Sequence, residues 1–500
     1  MEASSRRACL VECRVDFQVG PQRPRHFGPP RPHPSAHFGR PLMTENTSSG
    51  APLDTGIRNL LRIAVPISLG SLVQFLVVLT DNFFLSRAGE LEINGAGNAG
   101  LIYLTFTMII AGGSVGIQIL VARFKGQNDP AQMAHAFRAG RLGLGALGLL
   151  LATVVLGINA LGGWKLLLQN PDVQAVFEPF LGVRAWGLIP FAVLMAVEAD
   201  WIGQAKTRPI LALALLMAGT NVVLDAMWVE GWWGGIAMGA QGAAYASFTA
   251  ECVGALFAWL WASRKTHPAA YMGSMQRNRA MERQWWSLSA PVMAQFGMTI
   301  ATWASFFFFV ERVGMMELKV SHLTRNAFML AFVICSGLGQ TTRTVVSTLI
   351  GEGRSQELVP AILKLAALSY GGLWLLTHGY LFYPDWLASH FFEPSPGLDA
   401  MVATLGTAFV ALQFYALSSI LIAVLQGAGF TKPVFLIEFI SVGIYVVVAY
   451  AVTLVWTQPI DVIWRADWIY FICMILGAAG ALRALPWRQG HPSLKEAESA

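Results

Sequence analysis

Three polar residues stand inside long apolar runs: Asp81, Asn221 and Asp225. An ionisable residue within a membrane-spanning helix costs at least about 2.5 to 3.5 kcal/mol on insertion scales, so it marks a functional pathway by default. Asn221 and Asp225 are four apart and share a helix face. Gln74 lies seven before Asp81 on its own face, so each helix carries a short polar stripe. Two carboxylic acids in one poorly solvated pocket resist full ionisation, because desolvation and like charge both oppose it. Such a pair can carry a proton, and its carboxylate and amide oxygens also suit a hard cation such as sodium. The bland alternative is that each acid snorkels to the interface or hydrogen-bonds a neighbouring helix. Glu251 reads equally as cavity lining or as structure, while Glu198, Asp200 and Glu438 read as interfacial. His322 and Arg325 read as pairing with Glu311 or with backbone carbonyls. No HExxH motif occurs and no convergent nucleophile, metal-ligand or acid–base set stands out, so no catalytic residue, resident metal or cofactor is expected, and the chain reads as a non-enzyme.

The elements that must position these residues are membrane helices. The sequence is 55% hydrophobic and only 13% charged, against about 25% charged in soluble domains. Stretches of roughly 18 or more apolar residues recur, at about 61–86, 96–122, 140–163, 182–204, 209–229, 239–262, 285–310, 322–348, 362–384, 400–427, 433–457 and 466–485. These continuous runs exclude a transmembrane β-barrel, whose strands would alternate over about 10 residues. The expected class is an all-α integral membrane protein of twelve transmembrane helices. The net charge of +5 does not point to nucleic acid, because the basic residues are dispersed through loops. On the side opposite the termini only Arg87, Lys165, Arg184, Arg312, Lys319, Arg325 and Arg465 fall, against twenty beyond Arg40 on the terminal side. The positive-inside rule then predicts both termini in the cytoplasm. The five cysteines suggest neither disulfide nor zinc.

The chain repeats. At an offset of 225, Pro66 matches Pro291, Arg87 and Gly89 match Arg312 and Gly314, and Gly126 matches Gly351. At 224, Gly203 matches Gly427, and Thr207-Arg208-Pro209 matches Thr431-Lys432-Pro433. Six helices per repeat is an even number, so the halves form a parallel repeat about a pseudo-two-fold axis near the membrane normal. The expected organisation is a disordered cytoplasmic tail over 1–56, an N-lobe over 57–262, a cytoplasmic linker over 263–284, a C-lobe over 285–485 and a cytoplasmic tail over 486–500. Asp81 corresponds to Phe306, Asn221 to Tyr445 and Asp225 to Ala449, so only the first half is polar there. Pro66, about one turn into the first helix, reads equally as a hinge answering the charge of Asp81 or as a static kink.

At these residues the sequence resembles the multidrug and toxic compound extrusion (MATE) family. AVPISLGSLVQFLVVLTDNFFLSRAG resembles its opening helix, NVVLD followed by GAQGAAYAS its fifth and sixth, and SHLTRNAFMLAFVICSGLGQTTRTVVSTLIGEG its eighth, over about residues 57–485. The resemblance implies a two-lobe exporter that exchanges protons or sodium ions for amphipathic, often cationic compounds by alternating access. Asp81, Asn221 and Asp225 match the family's N-lobe proton or cation site, and Ser247 falls near a position that often holds threonine. Family members with a C-lobe sodium site carry acids in the seventh and tenth helices, whereas 291–310 and 400–427 here hold none; this favours protons over sodium. The expectation is a multi-pass monomer of the plasma (inner) membrane, with small organic substrates and membrane lipid as partners and no nucleic acid. Two rivals stand beside it. A lipid-linked oligosaccharide flippase of the same superfamily would need several Arg or Lys for pyrophosphate, and only Arg325 and Arg343 qualify. A membrane-embedded enzyme or receptor would need a catalytic set or a large loop surface.

Overall fold

The computed structural model describes residues 52–166, 168, 170–265 and 276–492. Among these residues every regular element is helical, and twelve helices are long and apolar enough to cross a membrane. They are α1 (Ile57–Ala88), α2 (Glu90–Gly126), α3 (Pro130–Ala160), α4 (Pro171–Gly203), α5 (Arg208–Trp228) and α6 (Ala240–Lys265) in the first half. The second half contributes α7 (Arg279–Glu311), α8 (Met315–Gly351), α9 (Leu358–Thr377), α10 (Pro396–Gly427), α11 (Thr431–Tyr450) and α12 (Ala466–Ala484). Several begin well before their apolar stretch because a capped polar turn leads into it. Asp129 accepts from the amides of Ala131 and Gln132 at 3.1 and 3.0 Å with Pro130 next in line, and Asn278 accepts from Met281 N at 3.0 Å. Each cap satisfies amides that no preceding turn could. Leu76, Val78 and Phe83 on α1 and Leu436, Phe439 and Val447 on α11 stand exposed, a surface tolerable only against lipid.

Equivalent turns in the two halves share a conformation. Asn128 after α2 and Gly353 after α8 take φ of 56° and 71°, and Ala205 and Gly429 take 56° and 92°. These are left-handed values that glycine adopts freely and alanine does not. The helices α2 and α8 cross where Gly126 meets Gly351. A Cβ at Gly126 would fall on the Thr348 carbonyl oxygen, and one at Gly351 on the Arg123 carbonyl. Backbone thus rests on backbone at the crossing.

Both described chain ends lie on that same side, here called the terminal side. Leu53 N donates to Glu352 Oε1 at 2.8 Å, Arg354 Nη1 donates to Leu53 O at 2.9 Å, and Ser355 Oγ donates to Arg488 O at 3.2 Å. His491 N reaches Ala428 O at 2.9 Å. Residues 52–56 are therefore fixed rather than part of a disordered tail, since their backbone finds partners in the turn after α8; the rest of the expected tail, 1–51, lies outside the described residues. The expected tail over 486–500 is likewise packed as far as 491, and 493–500 lie outside the described residues. The expected linker 263–284 narrows, because α6 runs to Lys265 and α7 starts at Arg279; residues 266–275 lie outside the described residues.

The lobes also join on the terminal side. Trp285 on α7 sits against Gly140 and Gly143 of α3 and donates its Nε1 to Gly113 O at 3.2 Å. Ser289 Oγ donates to the same carbonyl at 2.9 Å, and Ser347 Oγ on α8 donates to Ile119 O at 2.8 Å. Each contact lies in the half of its helix nearer the terminal side.

Candidate functional site

Four helix residues of the first half converge in the half of the membrane away from the termini. Asp81 comes from α1, Asn221 and Asp225 from α5, and Ser247 from α6. Asn221 Nδ2 donates to Ser247 Oγ at 3.3 Å, and Ser247 Oγ donates to Asp81 Oδ2 at 3.4 Å. The Asp81 and Asp225 carboxyls lie within hydrogen-bonding reach of one another. Asp225 is fully buried and Asn221 nearly so. What remains is a set of acceptors: Asp81 Oδ1, Asn221 Oδ1 and both oxygens of Asp225 are buried with no donor. Buried acceptors left without a donor cost about 1–3 kcal/mol each. A proton on one carboxyl, or a small cation among the oxygens, would supply what the protein's own donors do not.

One turn along α6 from Ser247, Glu251 anchors a second cluster. Tyr103 OH on α2 donates to Glu251 Oε1 at 2.8 Å, and Arg184 Nη2 on α4 approaches the same oxygen at 3.0 Å. The Arg184 guanidinium also lies 3.9 Å from the Tyr103 ring centroid, a cation–π contact strengthened by desolvation. Gly187 makes room for this cluster, because a Cβ there would collide with Glu251 Oε2. Glu251 and Ser247 are one turn apart on α6, so the two clusters adjoin. Arg184 Nη1 and Glu251 Oε2 have no hydrogen-bond partner among the described residues. At the rim, Glu92 Oε2 accepts the first amide of α6, Ala240 N, at 2.6 Å, favourably placed for the helix dipole.

Of the sequence-derived candidates, Asp81, Asn221, Asp225 and Ser247 are brought together, with Glu251 next to them. Gln74 is not: it is exposed on α1 and takes no part in the cluster. Pro66 lies inside an unbroken α1. Arg184 and Tyr103 escape the sequence reading, because Arg184 stands at the outer edge of the apolar run that begins near 182 and counts among the basic residues on the side opposite the termini. The signal was a charged residue in FLGVRAWGLIPF, once α4 is known to start at Pro171.

Three interfacial or pairing expectations are corrected. Asp200 is fully buried, with Gln204 Nε2 donating to both its oxygens at 2.9 Å. Glu438, 1% exposed, accepts from Thr299 Oγ1 at 3.0 Å, from Gln295 Nε2 at 3.4 Å and from the Tyr470 hydroxyl; two turns into α11, it faces α7 and α12 rather than the interface. His322 and Arg325 do not seek Glu311; both lie against the Phe307 ring, at 4.9 Å each. A groove of about 440 Å³ between α3, α4 and α6, lined by Asn159, Glu178, Trp186 and Tyr245, includes none of the acid cluster.

The sequence and fold were compared with known proteins. The MatE family profile matches twice, over residues 66–227 and 291–451, once in each lobe and together over more than half of the chain. A probable multidrug resistance protein NorM of Agrobacterium fabrum is 22% identical over 435 residues, covering 83% of this chain and 90% of that protein. A solved structure described as the outward-facing conformation of a multidrug resistance MATE family transporter of the MOP superfamily superposes with a TM-score of 0.77 at 18% identity, over 86% of this chain and 97% of its own. A crystal structure of MATE in the straight conformation gives 0.77 at 19%, over 88% and 97%.

Proposed function

Because this chain belongs to the MatE family, a multi-pass membrane family whose curated relatives are named multidrug resistance proteins, we propose that it is a secondary active exporter of amphipathic, often cationic organic compounds, coupled to inward proton movement. The carrying observation is the set of four donorless buried oxygens on Asp81, Asn221 and Asp225. A shared proton turns one of these carboxyls into a donor for the other and lowers the charge of the pocket. Loss of that proton restores mutual repulsion, which α1 relieves by rearranging about Pro66. The coupling site faces the half of the membrane where the lobes make none of the contacts described above, which suits uptake of the proton from outside and release of drug there. Both termini are assigned to the cytoplasm, the membrane to the plasma (inner) membrane, and the working unit to a monomer.

A second reading keeps the site and changes the ion. The same oxygens are hard ligands of the kind sodium takes, and Asn221 Oδ1 among them favours it. The flippase alternative is weakened, because Arg325 lies over Phe307 and Arg343 is committed to two glutamines, and these are the two basic residues that could hold pyrophosphate. The test is efflux of fluorescent cations from proteoliposomes under separately imposed proton and sodium gradients. The wild type should respond to the proton gradient, and Asp81→Asn and Asp225→Asn, inserted normally, should fall at least about tenfold. Undiminished transport by these variants would reject the site, and a response to sodium alone would reject the ion.

A further inference from the structure

A second buried polar assembly lies on the terminal side and joins the lobes. Gln118 on α2 and Arg343 on α8 are equivalents under the 225-residue repeat, and they meet about two turns along the helices from the crossing of Gly126 and Gly351. Arg343 Nη1 donates to Gln118 Oε1 at 2.7 Å. Gln118 Nε2 donates to Gln340 O at 2.8 Å and Thr344 Oγ1 at 2.9 Å, and Thr344 Oγ1 donates to Ile202 O on α4 at 3.1 Å. Gln118 is 3% exposed and Arg343 9%. The partners of this buried guanidinium among the described residues are amides, not carboxylates.

The other branch runs into the C-lobe. Arg343 Nε donates to Gln426 Oε1 at 3.0 Å, Gln426 Nε2 to Gln295 Oε1 at 3.2 Å, and Gln295 Nε2 to Glu438 Oε2 at 3.4 Å. Every donor points away from the guanidinium and toward the carboxylate. Two amide dipoles are thus aligned head to tail between a buried guanidinium and a buried carboxyl group, across α8, α10, α7 and α11.

Burial treats the two charges differently. Glu438 is enclosed by helices of one lobe, so parting the lobes does not change its surroundings. Arg343 sits on the interface between lobes, and parting them hands it to water. A charge satisfied only by neutral groups still bears a desolvation penalty of several kcal/mol, and a partner two amides away offsets part of it. The guanidinium therefore pushes the closed side toward opening, and the attraction of Glu438 holds it back.

We propose that Arg343 is a positioning residue for the terminal-side gate, a buried cation that drives this side to open and is restrained by Glu438 through Gln426 and Gln295. The proposal rests on the reading that the lobes open alternately, and it goes further by naming what sets the balance. It differs from a simple latch, in which any loss from the network would loosen the gate.

The test uses the full chain in lipid, with the five native cysteines replaced and spin labels at Ala131→Cys and Gln356→Cys. These are exposed, repeat-equivalent positions at the terminal side of the two lobes, so the distance between them reports opening. Glu438→Gln should raise the open fraction about tenfold, whereas Arg343→Gln should lower it about tenfold and slow efflux with it. Gln118→Leu, which strips the guanidinium of its acceptor across the interface, should open the side as Glu438→Gln does, and gives a reading if Arg343→Gln is not recovered folded. Shifts of the first two variants in the same direction, or no shift while the wild type samples two distances, would overturn the proposal. A wild type held at one distance under every gradient would instead remove the alternating-access premise, and the proposal with it.

Discussion

At matched points of their backbones the two lobes hold opposite chemistry. Asp81 and Asn221 of the first lobe correspond to Phe306 and Tyr445 of the second, and Asp225 corresponds to Ala449. The first set leaves buried oxygens without donors. In the second, the Phe306 ring lies 5.3 Å from Trp464 and 6.4 Å from Tyr445, with Ala449 buried, so rings fill the space that carboxyls occupy in the other copy. The C-lobe keeps acids at other positions, at Glu438 on the terminal side, where three donors satisfy it, and at Asp467 in the first turn of α12, beside Tyr445. Duplication supplies one scaffold twice. One copy leaves buried oxygens without donors among the described residues, and the other packs rings at that depth.

The most damaging way to break this contrast is to move an acid into the packed copy. Phe306→Asp removes a ring from a closed aromatic cluster and buries a carboxyl without donors, a combined loss of more than about 5 kcal/mol; size-exclusion profiles should show no folded protein. Arg184→Gln tests whether the polar copy is balanced internally. It leaves Glu251 buried without its cation, at about 3–5 kcal/mol, read as a fall in thermal stability in detergent, and Arg184→Gln with Glu251→Gln should recover most of it. Tyr103→Phe removes one hydrogen bond to the same carboxylate and should lower stability by about 1.5–3 kcal/mol; an unchanged melting curve would mean that Tyr103 is a spectator. Arg87 and Glu230 pair at 2.8 Å, but the Arg87 side chain is 57% exposed. Arg87→Ala should thus change stability by no more than about 1 kcal/mol, and a larger loss would show the rim to be part of the coupled interior.

Hydropathy alone reveals the twelve helices, because lipid permits few other solutions, and the repeat is visible wherever prolines and glycines fix backbone shape. The acid pair stands out for the same reason, as charge in an apolar run. What stays hidden depends on partners far away in sequence. Glu438 looks interfacial until α7 and α12 are seen to enclose it. Glutamines at 118, 295 and 426 carry no charge to attract notice, yet each spends its amide between helices of different sequence neighbourhoods. Arg184 is concealed by its place at the edge of the apolar stretch, where it looks interfacial until α4 is seen to start at Pro171. Residues 52–56 lack any periodic pattern, and the turn after α8 together with Lys364 of α9 explains their order.

The crossing at Gly126 and Gly351 has a mechanical consequence. Where side chains interdigitate, one helix can turn on another only by lifting ridges out of grooves, and at this joint there are none to lift. Two bare rods can scissor there as about a pin. If the lobes rock, stiffness comes from what surrounds the pin, the Trp285 ring against α3 and the polar ties between the lobes, and a change of charge can loosen only the ties.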